Sequence, residues 1–149
     1  MTGDGIGEGK AALRPLPVGD EASTPFWDAA NAGRLDIQRC RKCRRWNHAP
    51  GLACPACGSD YLAFETASGR GTLYSWCVLR EAPGPGFAGA MPLTVAVVEL
   101  TEQSHLLLTS NLVGVDEAQL RLGMALEVEF LRINADCALP QFRPAREAA

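Results

Sequence analysis

Histidine is scarce in this chain of 149 residues, and aromatic residues make up only 7% of it. The two histidines are His48 and His105, and no Cys–His–Asp or Ser–His–Asp set can be assembled around either. The chain is therefore expected to be non-catalytic on its own. With few aromatics, the core must be built mainly from Val, Leu, Ala and Ile. No run approaches about 18 consecutive apolar residues, so no membrane-spanning helix is expected. Met1 to Lys10 lacks the basic and apolar regions of a secretory leader, which points to a cytoplasmic setting. A net charge of −3 argues against a protein that coats nucleic acid. No internal repeat is visible.

What the chain does have is six cysteines, four of them in two Cys-x2-Cys pairs. Cys40 and Cys43 form the first pair and Cys54 and Cys57 the second, with ten residues between the pairs. Each pair can turn both sulfurs to one side of a tight knuckle, and two knuckles complete a tetrahedron. Zn²⁺ favours that geometry, with thiolates at roughly 2.3 Å. Four protein ligands leave no open position, so the metal is expected to be structural. Two disulfides, or an iron site, are the alternatives. The short gap and the all-cysteine ligand set favour a zinc ribbon over a helix-bearing, DNA-reading finger. His48 lies between the knuckles and is read as a loop histidine. Gly58 follows the second knuckle; Arg44 follows the first, where a small residue is more usual. Cys77 stands in phase with Leu73 and Leu79 and is expected to be a buried, inert thiol.

The periodicity suggests a mainly β chain. Residues 1–23 read as a loosely docked arm. Thr24, as N-cap, and Pro25 open a short helix to about Ala32, and Gly33 offers a left-handed exit. Its apolar face of Phe26, Trp27 and Ala30 must dock, on its own domain or on a partner subunit. Residues 24–60 then form the helix and ribbon, 61–145 a small barrel, and 146–149 a tail. Alternation predicts strands over Leu35–Arg39, Leu62–Thr66, Thr72–Arg80, Leu93–Leu100, His105–Leu112 and Leu126–Arg132. Leu139–Phe142 could add a last edge strand, and Asp116 could cap one helical turn. Pro83–Gly89 is too rich in proline and glycine for regular structure.

Charge is unevenly placed. Arg41, Lys42, Arg44 and Arg45 lie between Cys40 and Cys57 with no acidic residue among them. After Cys57 there are six arginines against eleven acidic residues. The basic cluster, with Trp46 beside it, could meet phosphates or an acidic partner, or it could be a solvated face. The functional surface is expected to join this cluster to the Pro83–Gly89 loop. Tyr74 and Trp76 alternate onto one strand face and could stack bases, as in a single-stranded nucleic-acid-binding barrel. The acidic surroundings speak against that.

The order of motifs resembles a known family. An Phe26-Trp27 helix is followed by Gly33-Arg34-Leu35 and Gln38-Arg39-Cys40-Arg41-Lys42-Cys43, then Pro50 and Cys54-Pro55-Ala56-Cys57-Gly58-Ser59. Ser68-Gly69-Arg70-Gly71-Thr72-Leu73-Tyr74-Ser75, Gly123-Met124, Leu139-Pro140 and Phe142-Arg143-Pro144-Ala145 complete it. This looks like the zinc-ribbon plus OB-fold family, once of unknown function, that accompanies thiolase-superfamily enzymes. The likeness runs from about Pro25 to Ala145, with Ala49 where members often carry a second proline. It implies an N-terminal helix and rubredoxin-like ribbon leading into an OB barrel, with Zn²⁺ on Cys40, Cys43, Cys54 and Cys57. It also implies an accessory role beside an acetoacetyl-CoA thiolase, a hydroxymethylglutaryl-CoA synthase or a steroid side-chain aldolase. There the member helps shape the acyl-CoA site, by analogy in a heterotetramer.

Overall fold

The computed structural model describes residues 14–146. The expected arm lies outside it as far as residue 13, and the tail from 147 onward. Helix α1 spans Thr24–Asn31 with Pro25 in its first turn, where its missing N–H leaves no hydrogen bond broken. The N-cap is Ser23, not Thr24, and it makes no side-chain capping bond. The preceding turn has already engaged both hydroxyls. Thr24 Oγ1 donates to the Asp20 carbonyl at 2.6 Å, and Ser23 Oγ donates to Asp20 Oδ1 at 2.7 Å. Gly33 makes the left-handed exit at φ +80°.

Strands β1 (Asp36–Cys40), β2 (Trp46–Asn47) and β3 (Leu62–Thr66) form an antiparallel sheet in the order β2-β1-β3. β3, grouped by its sequence position with the barrel, is thus hydrogen-bonded to the ribbon. The second sheet holds β4 (Arg70–Leu79), β5 (Leu93–Leu100), β6 (Leu107–Asn111), β7 (Ala125–Asn134) and β8 (Cys137–Pro144). Their order is β6-β5-β4-β7-β8, with every pairing antiparallel. β8 is longer than the expected edge strand and does not remain an open edge. Leu112 bridges to Phe142 in parallel, Val113 N donates to the Phe142 carbonyl at 2.9 Å, and Ser110 Oγ donates to the Pro140 carbonyl at 2.6 Å. These contacts close the sheet into a barrel of OB type, which removes the exposed edge. Glu117–Gln119 forms a single 3-10 turn, and Asp116 precedes it without a side-chain cap.

A bulge in β4 corrects two sequence expectations. The pairing with β5 shifts between Leu73 and Ser75. One extra residue inverts every side chain that follows it. Leu73 is buried, Tyr74 is exposed, and beyond the bulge Trp76 packs on the core while Cys77 points outward. Cys77 is therefore an exposed thiol and not a buried one. Tyr74 and Trp76 do not form one stacking platform; Tyr74 instead meets the His105 ring edge-on at 6.3 Å.

One continuous core joins the two sheets. Phe26, Leu35, Ile37 and Trp46 from the helix and ribbon share it with Leu73, Val98, Leu106, Leu108, Leu126 and Phe142 from the barrel. Phe26 is only 6% exposed, so the helix docks on its own chain and Phe26 is a core residue. Trp27 meets it edge-on, with centroids 5.0 Å apart, and stays partly accessible.

Candidate metal centre and ribbon surface

The two knuckles are copies of one turn. Cys40 N donates to the Arg45 carbonyl at 2.9 Å, as Cys54 N does to the Ser59 carbonyl at 2.8 Å. Arg44 N donates to the Cys40 carbonyl at 2.9 Å, as Gly58 N does to the Cys54 carbonyl at 2.8 Å. Each turn needs a left-handed residue after its second cysteine. Gly58 supplies it at φ +75°, and Arg44 is held there at φ +67°, a region non-glycine residues rarely adopt. The usual small residue at that place thus has a backbone reason, and Arg44 meets the demand under constraint. Its carbonyl accepts from Arg39 Nε at 2.8 Å, and its guanidinium pairs with Glu65 at 3.4 Å.

The four sulfurs lie within 4.8 Å of one another. Cys40 Sγ and Cys57 Sγ are 3.6 Å apart, as are Cys43 Sγ and Cys54 Sγ. A tetrahedron with Zn–S bonds of about 2.3 Å has edges of about 3.8 Å, so the donor set fits Zn²⁺. Cys40 and Cys54 are buried; Cys43 and Cys57 are exposed. The N–H groups of Lys42 and Cys43 both point at Cys40 Sγ, each at 3.4 Å. The Cys43 and Lys42 N–H groups lower the Cys40 thiol pKa against the opposing effect of burial. At Cys54 burial raises the pKa, but the Cys57 and Ala56 N–H groups and the Asn47 side chain outweigh it and bring the thiol to about 6. At Cys43 the Arg45 N–H lowers the pKa, but burial and the other three thiols carry it up to about 11. The groups that favour thiolate here are mainly backbone N–H groups of the knuckles. His48 is not among the ligands.

Asn47 and Gln38 escaped the sequence reading. Asn47 is buried in β2 beside the Cys54 thiol, whose pKa it helps to lower, and its Nδ2 has no hydrogen-bond partner among the described residues. Gln38 holds the loop between the knuckles, its Nε2 donating to the Gly51 carbonyl at 2.8 Å and its Oε1 accepting from Gly51 N at 3.2 Å. Glu65 binds Arg39 at 3.4 Å as well as Arg44.

The candidate surface residues fall into two groups. Arg41, Lys42 and Arg45 are exposed and form no ion pair among the described residues. Arg44 is tied to Glu65. Trp46 is buried beneath Arg39, whose guanidinium lies 4.6 Å from the ring centroid, so little of its ring is left exposed. Its role is in the seam between ribbon and barrel.

The Pro83–Gly89 loop does not join the basic cluster. It leads into β5 at Leu93, whereas the ribbon touches the barrel through Gln103, past the far end of β5. A strand of that length spans roughly 25 Å. The loop is instead met by Arg14, whose guanidinium carbon is 4.6 Å from the Phe87 ring centroid and whose Nε donates to the Gly86 carbonyl at 3.3 Å.

Comparison with known proteins agrees with this geometry. Residues 27–65 match the family described as ChsH2, rubredoxin-like zinc ribbon domain, and residues 64–131 match ChsH2, C-terminal OB-fold domain. The chain belongs to the ChsH2 (DUF35) family. A solved structure titled Ltp2-ChsH2(DUF35) aldolase is 38% identical, with a TM-score of 0.77 over 86% of this chain and 98% of that one. A probable enoyl-CoA hydratase alpha subunit from Thermomonospora curvata is 40% identical over 90% of this chain and 41% of its own length. A DUF35 domain-containing scaffold protein from Pyrococcus furiosus is 32% identical over 54% of this chain and 57% of its own. The chain thus spans about half the length of these curated relatives. A Sulfolobus solfataricus DUF35 protein of unknown function, 13% identical with a TM-score of 0.57, shares the fold. Like its ChsH2 relatives, the chain carries a zinc ribbon with a structural Zn²⁺ site on an OB barrel. No helix among the described residues is long and apolar enough to cross a membrane.

Proposed function

We propose that the chain is a non-catalytic accessory subunit of a thiolase-like acyl-CoA enzyme, and that it helps assemble the acyl-CoA site. The observation that carries this is the match to the Ltp2-ChsH2(DUF35) aldolase, which extends over 98% of that chain at 38% identity. The closed four-thiolate site supports it, because a metal held by four protein ligands has no position left for substrate. Zn²⁺ here braces the ribbon, and Arg41, Lys42 and Arg45 are displayed from that rigid base. They suit an acidic partner surface or the phosphates of a bound acyl-CoA. A heterotetramer with a dimeric thiolase-like partner, in the reducing cytoplasm that keeps the ligand thiols available, completes the reading.

The test is coexpression with a thiolase-like protein from the same organism. The expected result is a stable complex of defined mass that turns over an acyl-CoA thioester, with neither chain active alone. Two chains that elute separately at micromolar concentration would overturn it.

A further inference from the structure

Helix α1, the loop after β2 and the barrel strands β6 and β8 meet around a cleft of about 240 Å³. Phe26, Trp27, Pro50, Leu108 and Pro140 supply apolar walls, and among the described residues no Asp, Glu, Lys or Arg lines it. His48 stands in the wall, its ring centroid 5.4 Å from that of Phe26. Its Nδ1 is buried and has no hydrogen-bond partner among the described residues. Neither the zinc centre nor the basic cluster makes use of this histidine.

A buried polar atom without a partner is costly, and most such atoms in folded proteins are satisfied. The surroundings limit what could satisfy this one. An apolar cavity of about 150 Å³ takes a benzene ring, so the cleft has room for a substituted single ring. With no cation in its wall, a carboxylate or phosphate would lose its hydration without compensation. Burial also lowers the His48 pKa and keeps the ring neutral, so it offers no charge of its own. Nδ1 then either donates or accepts, according to the tautomer. A hydroxyl can answer both.

We propose that this cleft is a binding site for a neutral, ring-sized apolar group bearing one hydroxyl, whose oxygen meets His48 Nδ1 while its ring lies between Trp27, Leu108 and Pro140. The site is complete within this chain and does not depend on the partner proposed above.

The test uses the zinc-loaded full chain and two probes of matched size, p-cresol and p-xylene, followed through the His48 ring and Trp27 indole resonances. The expected result is saturable binding of p-cresol that shifts both residues, about tenfold tighter than p-xylene. His48→Phe should bring the two affinities to within about twofold. Thr109→Trp, at an exposed position on the rim, should block both probes while zinc content and the far-ultraviolet spectrum stay unchanged. Equal affinity of the two probes for the wild-type chain would overturn the proposal. So would p-cresol binding that leaves His48 unmoved, or that survives Thr109→Trp.

Discussion

Gln103 grips Trp46 with both ends of its amide. Trp46 N donates to Gln103 Oε1 at 2.9 Å, and Gln103 Nε2 donates to the Trp46 carbonyl at 2.9 Å. The side chain thus acts as one rung of a ladder between β2 of the ribbon and the turn after β5 of the barrel. Gln103→Ala removes both bonds from the backbone of a buried tryptophan. We expect a loss of roughly 1–3 kcal/mol in urea unfolding. Gln103→Glu should cost more, because a carboxylate would face the Trp46 carbonyl without a proton to share. A loss below about 0.3 kcal/mol in both variants would place the seam elsewhere.

The zinc centre should support the whole chain and not the ribbon alone. Leu35, Ile37 and Trp46 lie in the same core as Leu106 and Leu108, so a ribbon that opens withdraws apolar surface from the barrel. Structural zinc contributes its binding energy to folding. Freshly purified, reduced protein should hold one zinc per chain by elemental analysis. Removal of zinc by a chelator, or Cys54→Ala, should lower the temperature of a single shared transition. Two separate transitions, with the barrel melting as before, would show that the common core does not couple them.

The cysteine ligands, the strand alternation and the glycine after α1 were legible in the sequence because each is a short-range pattern. The two Cys-x2-Cys pairs needed only their own spacing. What was missed depends on contacts that leave no local trace. Gln103 is 57 residues from Trp46, and nothing in the turn Thr101–Ser104 marks one polar residue above its neighbours. The bulge at Tyr74 was invisible for another reason: the residues on both sides of it suit a strand equally well, so alternation was carried through it and Cys77 was placed on the wrong face. His48 was read as a loop residue. Only the packing of α1 against β8 encloses it.

His48 should make the chain less stable in mild acid. Its pKa is lowered in the folded state by burial, whereas in the unfolded chain it returns to about 6.5. Below that value the unfolded state binds the proton more readily, so stability falls as pH drops from about 6.5 toward the folded pKa, and is fully present above it. His48→Phe should flatten this part of the profile. The comparison is made by urea unfolding between pH 7.5 and 5.5 with zinc content followed at each point. Parallel profiles for the two proteins would exclude His48 as the source.

The basic face gives the last prediction, and the structure selects which residues to change. Reversing Arg44 would set a carboxylate against Glu65, now 3.4 Å from its guanidinium, and would disturb a knuckle already held at positive φ. A defect in that variant would not separate partner binding from ribbon damage. Arg41 and Arg45 are exposed on the same turn and have no such tie. Their main-chain groups hold the ribbon through Arg41 N to the Tyr61 carbonyl at 2.8 Å and Cys40 N to the Arg45 carbonyl at 2.9 Å, bonds that a change of side chain leaves in place. Arg41→Glu with Arg45→Glu changes the local charge by four units, so the effect on an acidic partner or a phosphate should be large at low salt and shrink as salt is raised. We expect assembly with the thiolase-like partner to weaken at least tenfold at low ionic strength, while zinc content stays the same and Tm changes by less than about 2 °C. If the double variant assembles and supports turnover like wild type at all salt concentrations, these cations are a solvated face, and the interface must be sought on another part of the chain.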